Sequence, residues 1–232
     1  MRKITHPDAA ARYVREFGLD DICGERTIAG MSLYAFDKGE SICSAGVAMS
    51  HLYILVRGKL KVYSALPNGK AVLLRFYEPL GIIGDMEWAT GYPPRSSVET
   101  LTDCLMLVIS YGQLTETSSH DPTWLRYMMK HMALKLYANS NTLSLNLLYP
   151  VENRVASYLL SVASGENPGV RVGEIRTPKL LEIAELIGTS YRHLNRILAR
   201  LAADGMIERR RGAIGIRDVE RLKKLAEGLL YD

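Results

Sequence analysis

The sequence predicts an α+β chain: an N-terminal antiparallel β-roll, then one long helix, then a C-terminal unit of short helices and a β-hairpin. Three observations predict this order. Short apolar runs separated by glycines fill the first half. A helical pattern then extends from Asp121 to Pro150. Two capped helices and two short apolar stretches end the chain, and the length of 232 residues favours more than one domain.

Composition and charge are those of a globular chain with a mildly basic C-terminal third. The sequence is 47% hydrophobic and 23% charged, which argues against extensive disorder. The net charge is +4, and from Glu152 onward 14 basic residues face 11 acidic ones. This excess is compatible with nucleic acid as a partner.

The N-terminus and the cysteines predict a cytoplasmic chain. The first residues carry no long apolar run, so we expect no signal peptide. No stretch approaches the roughly 18–20 apolar residues of a membrane span, so no membrane partner is expected. The three cysteines, Cys23, Cys43 and Cys104, are scattered and odd in number. A disulfide framework is therefore not expected, and a reducing compartment is.

Short strands are predicted in the first half by apolar and β-branched residues that alternate with polar ones. They lie at residues 31–36, 51–56, 59–63 and 98–109. The Pro67-Asn68-Gly69-Lys70 segment is a strong hairpin turn, because Asn and Gly tolerate positive φ. Strands at this spacing favour an antiparallel roll or barrel.

One long helix is predicted to follow the roll. Asp121 can cap it, and Pro122 suits its first position. About 28 residues of helix would span roughly 42 Å, with apolar residues at Leu125, Met128, Met132, Leu136, Leu143 and Leu147. A long helix with a narrow apolar seam favours pairing with a copy of itself, hence a homodimer. The alternative is packing along its own β domain, and both can hold on different faces.

A helix-turn-helix is predicted near the C-terminus. Thr177 and Pro178 are typical of a helix start, and that helix ends at Gly188. Thr189 and Ser190 can cap a second helix over residues 191–203. Two helices joined by a tight Gly-containing turn form the unit that DNA-binding proteins use.

The second helix carries two different faces. Leu194, Ile197, Leu198 and Leu201 form the apolar stripe that would dock on the domain. Arg192, Arg196 and Arg200 lie on another face, flanked by Tyr191 and Asn195. Arginine can bond guanine O6 and N7 together, and asparagine can do the same for adenine. We therefore predict double-stranded DNA as the partner, with Thr189 and Ser190 near a phosphate.

A β-hairpin wing is predicted after this helix. Two short apolar stretches between Met206 and Ile216 flank Arg209, Arg210, Arg211 and Gly212. A basic tip of this kind would neutralise phosphates without reading sequence. The C-terminal unit is thus predicted to be a winged helix-turn-helix.

At this point the sequence resembles the CRP/FNR superfamily of bacterial transcription regulators over nearly its whole length. The segment from Glu182 to Ser190, followed by Leu194, Arg196, Ile197 and Leu201, is similar to that family's DNA-binding motif. Phe36, Gly39, Glu40, Gly46, Tyr53, Leu55 and Gly58 are similar to the pattern of its cyclic-nucleotide-binding-type β-roll. The segment from Ser190 to Leu194 most resembles the YeiL-like branch.

The resemblance implies a homodimer that places two recognition helices in successive major grooves and works with RNA polymerase. Tyr191, Arg192 and Arg196 would occupy the base-contacting positions. Members that recognise TGTGA-type half-sites have Arg and Glu where this chain has Tyr191 and Arg192, so a different half-site is expected. The implied domains are an effector-sensing roll over 1–120, a dimerisation helix over 121–150 and a DNA-binding domain over 151–232.

The resemblance also implies an effector site in the roll. Its residues would be Gly84, Asp85, Met86, Arg95, Ser96, Asn139 and Ser140. A carboxylate there accepts a ribose hydroxyl and an arginine neutralises a cyclic phosphate, which makes a cyclic nucleotide such as cAMP one candidate. Asp85 is a methylene shorter than the family's glutamate, so another small ligand, or none, stays open.

Other functions are weighed against this one. Three cysteines cannot supply an iron–sulfur cluster with four thiolates from one chain, although a redox-sensing thiol at Cys23 or Cys43 stays open. A ligand-binding module without a DNA role would lack the helix-turn-helix. No P-loop, paired metal-ligand histidines or nucleophile elbow is present, so we predict no enzyme and no metal site.

Overall fold

The computed structural model describes residues 1–6, 8–65, 71–163, 174–176, 180–210, 212–228 and 230–231. Two compact units divide the chain, and each is described by itself. The first unit contains Met1–Lys61 and Tyr77–Tyr137. The second unit contains Val62–Phe76 and Ala138–Asp232. The predicted turn at residues 67–70 and the predicted helix start at Thr177 and Pro178 lie outside the described residues.

The elements of the roll follow one another in short strands. The strands are β1 (Arg2–Lys3), β2 (Ser32–Phe36), β3 (Ser41–Cys43), β4 (His51–Arg57), β5 (Leu60–Ala65), β6 (Ala71–Tyr77), β7 (Ile82–Ile83), β8 (Ser97–Thr100) and β9 (Cys104–Ser110). One sheet has the order β1-β2-β9-β4-β7 and another the order β3-β8-β5-β6. The roll is confirmed by its antiparallel strand pairs, which are β1–β2, β2–β9, β3–β8, β4–β7 and β4–β9.

The helices and the remaining strands complete the α+β fold. The helices are α1 (Ala9–Glu16), α2 (Glu25–Gly30), α3 (Asp85–Thr90), α4 (Tyr111–Ser118), α5 (Pro122–Leu148), α6 (Val151–Ala163), α7 (Leu180–Ile187), α8 (Tyr191–Ala203) and α9 (Val219–Leu225). The late strands are β10 (Glu174–Arg176), β11 (Ile207–Arg210) and β12 (Ala213–Ile216), in the sheet order β10-β12-β11. Among the described residues, no helix has the length and apolar character that a membrane span requires.

The core of the first unit lies where β4 and β9 pair. Leu52 is opposite Ile109 and Ile54 is opposite Leu107, so alternate residues of both strands face one side. All four side chains are buried in one cluster. Cross-strand pairs of this kind stabilise a sheet through side-chain packing. Trp124 of α5 belongs to the same cluster, which fixes the start of the long helix against the roll.

Two parts of the first unit differ from the expectation. Helices α1 and α2 lie in the region that the sequence predicted as a β-roll. They are only eight and six residues long, too short for a clear helical period, and α1 buries only Val14. The single strand expected over 98–109 is two strands, β8 and β9. The two strands lie in different sheets, and between them the Leu101 amide donates to the Lys59 carbonyl.

Helix α5 begins where the sequence places it. The Asp121 carboxylate accepts from the Thr123 amide at 2.9 Å, and Pro122 is the first helical residue. The predicted apolar seam, however, divides between two faces. Met128 is buried and Met132 packs against the roll core, whereas Leu136 is 71% exposed. Helix α5 therefore packs along its own β domain with one face. Its other apolar face is exposed and available to a second copy of the chain.

The second unit is organised around α6, which spans the predicted residues and contacts α7, α8 and α9. Tyr231 closes this unit and is fully buried. Its amide donates to Ser161 Oγ at 2.9 Å, and its hydroxyl donates to Asn146 Oδ1 at 3.0 Å. Helix α9 and strand β10 were not anticipated, because the segments that form them are short and rich in charge.

Replacing Gly84 with alanine should destabilise the chain more than the same change at Gly91. Both glycines have positive φ, 91° and 71°. A Cβ at Gly84 would lie 2.7 Å from the His51 carbonyl oxygen, whereas a Cβ at Gly91 meets nothing within 4 Å. We expect a loss of about 1 kcal/mol at Gly91 from backbone strain and roughly 3 kcal/mol or more at Gly84. Urea unfolding measures both, and equal losses would contradict the close approach.

Candidate DNA-binding surface and effector site

The turn between α7 and α8 is built by hydrogen bonds that end one helix and begin the next. The Thr189 amide donates to the Ala184 carbonyl at 2.8 Å and the Gly188 amide to the Glu185 carbonyl at 3.0 Å. This is the Schellman arrangement, which requires the left-handed residue that Gly188 supplies with φ of 73°. Ser190 then caps α8 by accepting from the His193 amide. The predicted helix-turn-helix is therefore present, with α8 over the predicted residues.

Helix α8 buries one face and exposes another. Leu194, Ile197, Leu198 and Leu201 are all buried, as the apolar stripe predicts. Tyr191 is 51% exposed, and Arg192 and Arg196 are exposed as well. Among the described residues, no assigned ion pair or hydrogen bond engages the guanidinium of Arg192 or Arg196. These two cations are therefore available for an external acceptor.

Asn195 has a different environment from its neighbours. Its Oδ1 accepts from Arg209 of β11 at 2.9 Å, and its Nδ2 donates to the Tyr191 carbonyl at 3.1 Å. The amide thus joins the recognition helix to the wing. The sequence predicted an adenine contact for this residue and gave no signal for the bond to Arg209, which lies 14 residues further along the chain.

Two further arginines serve the internal structure of the unit. Arg200, the third residue of the predicted arginine stripe, forms an ion pair with Glu152 of α6. Arg154 of α6 donates to the carbonyl of Ile187 at 2.8 Å, at the end of α7. A cation at a helix C-terminus complements the helix dipole. These contacts position α7 and α8 on α6, a role that spacing along α8 alone does not reveal.

The wing is formed by β11 and β12, which pair from Ile207 opposite Ile216 to Arg210 opposite Ala213. Gly212 turns the hairpin with φ of 75°, and Arg211 lies outside the described residues. Arg210 and Arg217 bond Glu208, and these bonds lower the pKa of that carboxyl. A cleft of about 320 Å³ lies beside the wing, and it is lined by Leu180, Tyr191, Arg209, Arg210, Gly212, Ala213 and Ile214.

The predicted effector residue Asp85 lies at the start of α3 and is 1% exposed. Both of its carboxylate oxygens accept from Lys135 Nζ of α5, at 2.6 and 2.7 Å. Gly84, before it, is buried, and its carbonyl accepts from the Tyr111 hydroxyl at 2.9 Å. Met86, after it, is exposed. Sequence reasoning missed Lys135, because its spacing from Asp85 along the chain carries no pattern.

The other predicted effector residues have separate surroundings. Arg95 is exposed, and the carbonyl of half-buried Ser96 lies 3.9 Å from Cys43 Sγ. In the second unit, Asn139 Oδ1 accepts from buried Arg75, and the Ser140 carbonyl accepts from Ser144. Sequence reasoning also missed Arg75.

Acidic and phenolic groups surround the carboxylate of Asp85. Burial, with the charge of Asp85 adding to it, raises the pKa of Glu87. Burial also raises the pKa of the Tyr111 hydroxyl, and the carboxylates of Glu87 and Asp85 act in the same direction. Lys135 is thus the cation that stabilises negative charge in this part of the first unit, and it lowers the pKa of Glu87 against the effect of burial.

The three cysteines are free and buried. Burial raises the pKa of Cys23 to about 12 and that of Cys43 to about 11. Burial likewise raises the pKa of Cys104. Cys104 is a small core residue at the start of β9, as expected from the sequence. Thiols in this state are poor nucleophiles, because the thiolate is the reactive form. Among the described residues, no group of three potential ligands could hold a metal ion.

Two family models match successive parts of the chain. The cyclic nucleotide-binding domain matches residues 33–121, and the Crp-like helix-turn-helix domain matches residues 153–225. Together with the relatives described next, they show that the chain belongs to the CRP/FNR family of DNA-binding transcription regulators. It is a regulator and not an enzyme.

Curated relatives and solved structures agree with this assignment. The chain is 27% identical to the regulatory protein YeiL of Escherichia coli O157:H7, over 85% of this chain and 87% of the relative. It is 28% identical to a CRP-like cAMP-activated global transcriptional regulator of Mycobacterium tuberculosis, over 82% and 86%. A putative CRP/FNR-family regulator from Eubacterium rectale shares the fold with a TM-score of 0.77, at 18% identity, over 93% and 99% of the two chains.

Arg196→Ala and Asn195→Ala should weaken DNA binding in different ways. Arg196 is exposed and has no ion-pair or hydrogen-bond partner within the described part of the chain, so its loss should cost about 1–3 kcal/mol and remove preference at one base position. Asn195 holds Arg209, so its loss should weaken all sequences about equally. Selection of bound DNA followed by affinity measurement at two salt concentrations separates the two effects. A uniform loss for Arg196→Ala with preserved preference would make Arg196 a phosphate contact.

The cysteines should be nearly inert in the folded chain. With a pKa of about 11 for Cys43, roughly one molecule in ten thousand carries its thiolate at pH 7. A colorimetric disulfide reagent at neutral pH should therefore label the thiols slowly in the native chain and rapidly after denaturation. Fast labelling of one native thiol would instead support a redox-sensing cysteine.

Proposed function

We propose that the chain is a homodimer that binds a specific, nearly two-fold symmetric DNA site and regulates transcription there. The observation that carries this proposal is the exposed face of α8. Arg192 and Arg196 extend from a helix whose N-terminus is capped by Ser190 and whose opposite face is buried. A rigid helix that presents uncommitted guanidinium groups suits recognition of guanine in the major groove.

Each residue of this surface has a proposed role. Tyr191, Arg192 and Arg196 contact base edges, and Thr189 and Ser190 lie at the helix N-terminus, where a phosphate is stabilised. Arg209, Arg210 and Arg211 of the wing contact phosphates. Asn195 positions Arg209 through their hydrogen bond. Because an arginine stands at position 192, we propose a half-site without the cytosine contact that a glutamate there would favour.

The dimer is proposed to form along the exposed face of α5. Met129, Leu136 and Leu143 recur every seven residues and are 65%, 71% and 59% exposed. A repeat of seven is the spacing at which two helices keep one seam in contact. Leu147 extends the same exposed surface and is 71% exposed. An apolar face of this length on a 27-residue helix supports a second copy of the chain as its partner.

The functional division follows the order of the chain. We propose effector sensing within residues 1–120, dimerisation through 121–150 and DNA binding within 151–232. A small effector of the roll would favour one of two populations that differ in DNA affinity. The match to a cyclic nucleotide-binding domain makes cAMP one candidate, and a non-nucleotide ligand is the other. The cytoplasm as location and RNA polymerase as partner belong to the same proposal.

Charged residues in the exposed seam should separate the dimer. In Leu136→Glu with Leu143→Glu, two carboxylates would enter an apolar contact, and the dimer should dissociate at micromolar concentration. Affinity for a two-fold DNA site should then fall roughly a hundredfold or more, because the two half-sites are no longer bound by two DNA-binding domains joined in one dimer. Analytical ultracentrifugation measures the first effect and fluorescence anisotropy the second.

Lys130→Glu provides the control, since Lys130 is exposed on the same helix but outside this heptad series. It should leave the sedimentation coefficient unchanged. A wild-type chain that sediments as a monomer while binding two-fold DNA tightly would contradict the proposed role of α5.

A further inference from the structure

A buried ion pair joins α5 to the turn between β7 and α3, within the first unit. The side chain of Asp85 is 2% exposed and that of Lys135 is 11% exposed. Lys135 Nζ lies 2.6 and 2.7 Å from the two carboxylate oxygens. At such burial the pair is screened little by solvent, so its two members depend on one another.

The ammonium of Lys135 has each of its hydrogen-bonding directions occupied. Besides the carboxylate oxygens, it donates to the Ile82 carbonyl at 2.7 Å. It also lies 5.3 Å from the centre of the Tyr77 ring, a distance at which the ring face attracts a cation. An ammonium has three N–H donors, and three acceptors surround this one. The arrangement is a completed internal site.

This completed pair limits what a ligand can do at Asp85. A ligand hydroxyl that took both carboxylate oxygens would leave the Lys135 ammonium buried without its counter-ion. Breaking a buried pair from one side is strongly unfavourable, because the remaining charge stays desolvated. A neutral hydroxyl gives the carboxylate a weaker bond than the ammonium does. Displacement of Lys135 by a hydroxyl is therefore disfavoured.

Among the described residues, Lys135 is the cation whose charge acts on Glu87 and Cys43. Besides Asp85, the described titratable groups that act on this region are two acids, Glu87 and Cys43, and three phenols, Tyr53, Tyr77 and Tyr111. Each is neutral or negative. If Lys135 left, Asp85 and Glu87 would face one another with reduced compensation, and the charge of Asp85 already raises the pKa of Glu87. The charge balance of this region thus favours retention of Lys135.

We propose that Lys135 is a built-in counter-ion that closes Asp85 to ligand hydroxyls and determines the ligand specificity of the roll. The roll then does not distinguish nucleotides by a contact of their ribose hydroxyl with Asp85. The ion pair that joins α5 to the roll forms without a bound nucleotide. Any small effector binds through other groups. DNA binding by the wild-type chain does not distinguish cAMP from 2′-deoxy-cAMP. Only the statement about DNA binding rests on the proposed DNA-binding function.

The test compares cAMP with 2′-deoxy-cAMP, which differ by one hydroxyl. Isothermal titration calorimetry measures their affinity for the wild-type chain, for Lys135→Met and for the control Lys130→Met. Methionine keeps most of the apolar stem of lysine and removes the ammonium. Fluorescence anisotropy with a selected DNA site measures DNA affinity with and without each nucleotide.

We expect the wild-type chain and Lys130→Met to bind the two nucleotides with equal affinity, and the two nucleotides to have the same effect on DNA affinity. In Lys135→Met the freed carboxylate should favour cAMP over 2′-deoxy-cAMP roughly tenfold or more. A wild-type preference for cAMP over 2′-deoxy-cAMP, in nucleotide affinity or in the effect on DNA binding, would overturn the inference. Lys135→Met that treats the nucleotides as the wild type does would also overturn it.

The wild-type comparison needs no variant, so it decides the question even when Lys135→Met does not fold. The two proposals also fail differently. Absence of specific DNA binding under any condition would remove the proposed function and leave the calorimetric comparison intact. Specific DNA binding with a wild-type preference for cAMP would remove only the role of Lys135.

Discussion

The fold depends on α5, a single helix that packs against the roll with one side and exposes apolar residues on the other. Helix α5 places Trp124 and Met128 in the core of the roll, which fixes its first turns to the sheet. Met129, Leu136 and Leu143 lie on its exposed side, at a spacing suited to a second helix. The Asp85–Lys135 pair adds an electrostatic constraint to the packing.

The arginines of the second unit form two groups, those that bond to other residues of the unit and those that are exposed on α8. Arg200 and Arg154 hold α8 and α7 on α6, and Arg209 bonds Asn195. Such bonds reduce the conformational freedom that binding would otherwise have to remove, which is how a preorganised surface gains affinity. Arg192 and Arg196 are left exposed on a helix fixed at both ends. We therefore propose that base recognition uses only a small part of this basic surface.

Periodicity and capping chemistry predicted most of the architecture, but contacts distant in sequence were not predictable. Asp121, Gly188 and Ser190 act through bonds to near neighbours, so local sequence sufficed to place α5 and the helix-turn-helix. Lys135 contacts Asp85 across 50 residues, and no local rule selects that lysine over Lys130. The same limit applies to Asn195, whose partner on the wing depends on how the hairpin folds back.

The most direct test of the central claim is selection of DNA sites by the wild-type chain from a random library. The account predicts an inverted repeat whose half-sites lie about one helical turn, roughly 10 base pairs, apart centre to centre. It also predicts a guanine in each half-site where Arg196 or Arg192 binds. Enrichment of a single unrepeated site, or of no sequence at all with salt-sensitive binding alone, would contradict the account.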